Sequence, residues 1–149
     1  MLKLKKFKFR LDKVLDIKIK NEEESKLKYS QAQNRKKIVE GKLENLKSDY
    51  NKYFDISEVD DIVTQKITLA YLSSLSHSIK STTIEVEKEA VKVESAKIEF
   101  IDKQIERKSL EKIKEDKLKK LLKEEERKEQ ITNDEFALYA YMRNRPEFV

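Results

Sequence analysis

The sequence predicts an all-α protein: two long helices forming an antiparallel coiled-coil hairpin with a projecting C-terminal helical tail. Three observations carry this. The 149 residues contain one glycine (Gly41) and one proline (Pro146), so hairpin turns, open sheets and phosphate-cradling loops have almost no residues to build them. Charged residues make up 42% of the chain against 38% hydrophobic, which leaves little to fill a wide core. The apolar residues recur at alternating four- and three-residue intervals, the period of a coiled-coil seam and not of a strand. Length allows a single domain over 1–149.

The N-terminal 20 residues carry eight lysines and arginines against two aspartates, a net +6. Leu2, Leu4, Phe7 and Phe9 alternate with these charges, and no unbroken apolar run follows, so the segment does not read as a secretory signal. It suits a frayed helix start that touches a partner better than a membrane-surface element.

Helix 1 is expected over about residues 10–54. Its seam runs through Leu11, Leu15, Lys18, Glu22, Ser25, Tyr29, Ala32, Lys36, Val39, Leu43, Leu46, Tyr50 and Tyr53. The polar members cluster at 18–25 and at 36, where pairing is expected to be loose. Gly41 costs this helix about 1 kcal/mol relative to alanine. The connector, about 55–61, holds four acidic residues and no basic one; Asp55 or Ser57 is placed to cap the next helix. So short a connector forces the helices antiparallel.

Helix 2 is expected over about 62–143. Its seam passes through Leu72, Leu75, Ile79, Thr82, Val86, Glu89, Val93, Ala96, Phe100, Lys103, Arg107 and Leu110, and a second row, Val91, Ile98, Ile101 and Ile105, is expected to widen the stripe. Folding about residue 58 brings Leu11 opposite roughly residue 105, which leaves everything after about 107 unpartnered. That stretch relies on i,i+4 Glu–Lys pairs.

Chemistry has little to work with. There is no cysteine, which removes disulfides and thiolate sites and fits a reducing compartment. His77 is the single histidine and reads as a solvated helix residue. Carboxylates at helical spacing, such as Glu85 and Glu89, have no pocket to shift their pKa values. The chain therefore reads as a non-enzyme with no cofactor and no metal. Basic residues are closely interleaved with acidic ones and no base-reading motif is present, so nucleic acid is not the expected partner. No stretch reaches the ~18 apolar residues of a membrane span.

Two surfaces are candidates for protein contact. Tyr71, Leu75, Ser78 and Thr82 share a helical face near the hairpin tip, opposite Leu46 and Tyr53; they read either as seam or as a partly exposed docking patch. The second is Asn133 to Arg143, where apolar and aromatic residues return after a highly charged stretch.

The Asp134–Arg143 run, DEFALYAYMR, resembles the end of the flagellar export protein FliJ family. The opening, Phe9-Arg10-Leu11-Asp12-Lys13-Val14-Leu15-Asp16 followed by Glu22-Glu23-Glu24, is similar to the start of that family. The resemblance implies a component of the flagellar type III export apparatus, an antiparallel coiled coil like the stalk of rotary ATPases. Its implied partners are the hexameric flagellar export ATPase, whose ring assembly and activity it promotes, a membrane export gate protein, and export chaperones. Its implied location is the cytoplasm, peripheral at the inner membrane of the flagellar base. Carried over residue by residue, ATPase contact falls on Phe7, Arg10, Phe136, Tyr139, Met142 and Arg143. Gate contact falls on Leu46, Tyr53, Tyr71, Leu75, Ser78 and Thr82, with Ser78 and Thr82 departing from the family's small-apolar and histidine pattern. Alternatives are the stalk of a related injectisome or rotary ATPase, against which the DEFA run argues, and a generic basic coiled coil that binds nucleic acid or anionic membrane.

Overall fold

A computed structural model describes residues 7–56 and 61–145. Two helices make it up, α1 (Asp12–Ile56) and α2 (Ile62–Arg143), and no strand occurs among the described residues. The ends follow from local chemistry. The Asp12 N–H donates to the Phe9 carbonyl at 3.1 Å, a turn that starts α1. At the start of α2, Asp61 Oδ1 accepts the Thr64 N–H at 2.9 Å and satisfies one of the orphan donors of the first turn. The cap is thus Asp61 and not Asp55, which lies inside α1; Ser57 falls outside the described residues. Hydrogen bonds from Thr64, its side chain first and then its backbone, hold the Asp61 carboxyl below the usual carboxylate range. Arg143 sits in the last turn of α2, where a cation complements the helix dipole.

The chain forms two compact units, a hairpin unit (Lys20–Gln104) and a terminal unit (Met1–Ile19 with Ile105–Val149). In the hairpin unit Tyr29 stacks on Phe100 with ring centroids 6.2 Å apart, and Tyr53 meets Tyr71 edge to face at 4.9 Å. Higher numbers in α1 face lower numbers in α2, so the pairing is antiparallel. The protected positions follow the seam: Leu72, Leu75, Ser25 and Thr82 are buried, and Ala32, Lys36, Val39, Leu43, Val86, Glu89 and Val93 are half-buried. Polar seam positions are therefore enclosed and not splayed. Glu89 contacts Lys92 at 3.5 Å through one oxygen, while its other oxygen is buried without a hydrogen-bond partner among the described residues. The second apolar row does not widen the seam. Val91, Ile98 and Ile101 are 69, 53 and 40% exposed, because a single facing helix covers only one stripe.

In the terminal unit Phe9 and Leu15 are buried, and the ammonium groups of Lys114 and Lys117 lie 6.0 and 5.6 Å from the centre of the Phe9 ring. Asp12 pairs with Lys114 at 2.9 Å and Lys18 with Glu106 at 2.9 Å. Pairing thus reaches beyond residue 107, contrary to the expectation above. The cause is the fold point: the residue midway between Asp12 and Lys114 is 63, not 58. At the start of α2, Ile62, Val63 and Ile67 are 72, 65 and 65% exposed. Leu118, Leu121 and Leu122 are still half-buried, whereas every residue from Glu126 to Arg143 is exposed.

Candidate functional site

The two sequence candidates lie in different units and have different characters. In the hairpin unit Tyr53 and Tyr71 touch, yet both rings keep exposed surface, 36 and 43% by residue. An edge-to-face pair of this kind offers one ring face to a visitor while the other is held in place. Lys52 adds its ammonium 6.0 Å from the Tyr53 ring, and Tyr50 stacks on Phe54, which is 54% exposed. Leu75 and Thr82 sit deeper, at 6 and 4% exposure, as working members of the seam.

Leu46, Ser78 and Thr82 come together in a shallow groove of about 240 Å³, completed by Lys42, His77, Ser81 and Glu85. Its rim is polar and mixed in charge. The candidates therefore split into an exposed tyrosine pair, a polar groove and two seam residues beneath. Reading by seam spacing passed over Lys42 and Phe54 and set His77 and Glu85 aside as solvated. All four are exposed, so only their nearness to the seam edge signals them.

In the terminal unit Phe136, Tyr139 and Met142 are 68, 69 and 63% exposed, with Leu138 and Tyr141 at 58 and 68%. Arg143 is exposed as well. Among the described residues, the apolar return in the sequence is thus left mostly to water. Upstream, Lys112–Asp116 at 3.5 Å and Glu115–Lys119 at 3.0 Å are among the pairs that support the helix. The Lys119 ammonium holds the Glu115 carboxyl below its ordinary range, and Glu115 in turn raises Lys119. The N-terminal candidates differ: Arg10 is exposed, Phe7 is half-buried, and the buried anchor is Phe9, which the alternation in the sequence did not single out.

A sequence model of the flagellar FliJ protein family matches residues 7–146, nearly the whole chain. The chain belongs to the FliJ family. Membership in this family agrees with the sequence reading of a component of flagellar type III export. Among solved structures, the FliJ-family chain is similar to a protein from Chlamydia trachomatis described as a YscO homolog, at 19% identity and a TM-score of 0.50. The alignment covers 94% of this chain and 99% of that one, so the two share a two-helix fold over their full lengths. A search of curated proteins gives no match. No helix among the described residues is long and apolar enough to cross a membrane.

Proposed function

We propose that this FliJ-family chain is the stalk of the export machinery: it promotes hexamer assembly and activity of the export ATPase, links it to the membrane export gate and assists export chaperones. It works in the cytoplasm, peripheral to the membrane through its partners. The observation that carries the reading is the uncovered aromatic helix ending α2. Phe136, Tyr139 and Met142 recur every three residues, share a face, and are largely exposed among the described residues. Exposed aromatics on a preformed helix are suited to anchor in a partner's groove, because their helix entropy is already lost before docking.

Gate contact is assigned to the Tyr53–Tyr71 pair and the neighbouring groove at Leu46, Ser78 and Thr82. Leu75 is buried in the seam beside this pair. Phe7 and Arg10 flank the buried Phe9 and contribute to ATPase contact from the N-terminal side.

The test is the ATP hydrolysis rate of the cognate export ATPase, with ring assembly followed in parallel, as the full chain is titrated in. A rise in both that disappears when the chain is truncated after Asn133, with the hairpin still helical, is the expected result. No change in either with the full chain would overturn the reading.

A further inference from the structure

The face of α2 turned away from its seam carries Ile84, Val91 and Ile98, which are 54, 69 and 53% exposed. They recur every seven residues, the interval that keeps side chains in line along a supercoiled helix. A two-helix hairpin needs no apolar residue there. Beside this row stand Lys88, Ser95 and Asp102, all exposed. Neither Lys88 nor Asp102 has an ion pair or hydrogen bond among the described residues.

Taken together the positions read Ile84, Lys88, Val91, Ser95, Ile98, Asp102, a second four-three seam on the back of the helix. The five positions from Lys88 to Asp102 are self-complementary when reversed. A second α2 laid antiparallel, with the two-fold axis at Ser95, sets Lys88 against Asp102 of the second copy. It also brings Val91 within one position of Ile98 of the second copy, and sets Ser95 against its own counterpart. The Lys88–Asp102 and Val91–Ile98 contacts each occur twice, and the serine contact lies on the axis, as an isologous interface requires. The small serine at the axis lets the backbones approach. A parallel arrangement would oppose Lys88 to Lys88 and Asp102 to Asp102, which charge repulsion disfavours. Glu87 and Glu94 lie on the other flank of the row and remain on the solvent side.

We propose that the outer face of α2 from Ile84 to Asp102 is a self-association surface, on which a second copy of this chain docks antiparallel with Lys88 of each copy paired to Asp102 of the other. This does not depend on the export reading. One helix pair of about five turns buries less than the ~1,200 Å² of stable complexes, so the association is weak and concentration-dependent. It therefore yields readily to a tighter partner.

Sedimentation equilibrium of the full chain at low salt, from about 1 to about 500 μM, reads the association constant directly. Reversible monomer–dimer behaviour is expected. Lys88→Asp and Asp102→Lys should each lower the association constant about tenfold. Their equimolar mixture should recover it, because each variant supplies the charge that the other needs. Both positions are exposed, so the helical circular dichroism should not change. Ile98→Ser, which leaves the charges intact, should also weaken the dimer. A chain that stays monomeric throughout overturns the proposal and leaves a helix of another protein as the occupant. A dimer that neither reversal weakens, or a mixture no tighter than the single variants, overturns it too and places the contact elsewhere, foremost in the exposed aromatic tail.

Discussion

In the hairpin unit the helices are joined by apolar and aromatic side chains: Leu72 and Leu75 are buried, and Tyr29–Phe100 and Tyr53–Tyr71 cross the seam. The terminal unit also buries two apolar residues, Phe9 and Leu15, but its cross-helix contacts include two ion pairs, Lys18–Glu106 and Asp12–Lys114, whose side chains are 31 to 50% exposed. Half-exposed pairs lie in high dielectric and are worth ~0–1 kcal/mol each, whereas a buried leucine contributes about 2 kcal/mol by burial alone. The terminal unit is therefore expected to open before the hairpin unit. An end that opens easily and carries uncovered aromatics is well suited to change partners.

The largest expected effect probes the hairpin. Leu75→Ala should destabilise the chain by about 2–3 kcal/mol in urea titration followed by circular dichroism. That is the low end of the range for core leucines, because a two-helix seam can collapse around the gap. A loss under 1 kcal/mol would mean that the tyrosine pairs, not the leucines, hold this unit.

Phe9→Ala comes next, at about 2 kcal/mol of local stability. Amide exchange should accelerate at residues 12–18 and 105–118 and stay unchanged at 72–93. Acceleration everywhere would show that the two units open together.

Gly41→Ala should stabilise the hairpin unit by ~1 kcal/mol. The glycine has a helical backbone with no positive φ, and an added Cβ meets nothing within 4 Å. Failure to stabilise would reveal a requirement for a bare backbone at that point.

Raising the salt from 0.1 to 1 M shortens the Debye length from about 10 to about 3 Å. Exchange protection of the terminal unit should fall by no more than ~1 kcal/mol while that of Leu72–Thr82 holds or rises. Equal behaviour of both units would remove the distinction drawn here.

The smallest effect concerns acid. Asp61 is held below its unfolded value of 3.8, so its cap contributes above that pH and is lost as the pH falls through the lower folded value. Exchange at residues 62–65 should rise below about pH 4, and Asp61→Asn should flatten that rise.

The exposed end of α2 was legible from composition: Phe136, Tyr139 and Met142 follow a stretch too charged to pair, and the structure leaves them uncovered. The tyrosine pair was legible too, because Tyr53 and Tyr71 flank one short connector. The burial of Leu75 and Thr82 followed from their places on the seam, whereas the groove that gathers Leu46 and Ser78 with Lys42 and Glu85 depends on how the two helices face each other.

By itself the sequence determined the helices, the seam and their antiparallel course. Seven-residue periodicity and the near absence of glycine and proline are local properties, and they leave a chain no other way to bury its leucines. The tertiary structure alone decided the register, the cap at Asp61 and the burial of Phe9. Pairing in the terminal unit is centred near residue 63, and no periodicity records an offset between two helices. That same offset carries Phe9 onto Lys114 and Lys117. A single facing helix covers one stripe, and so the Ile84–Val91–Ile98 row is left in water.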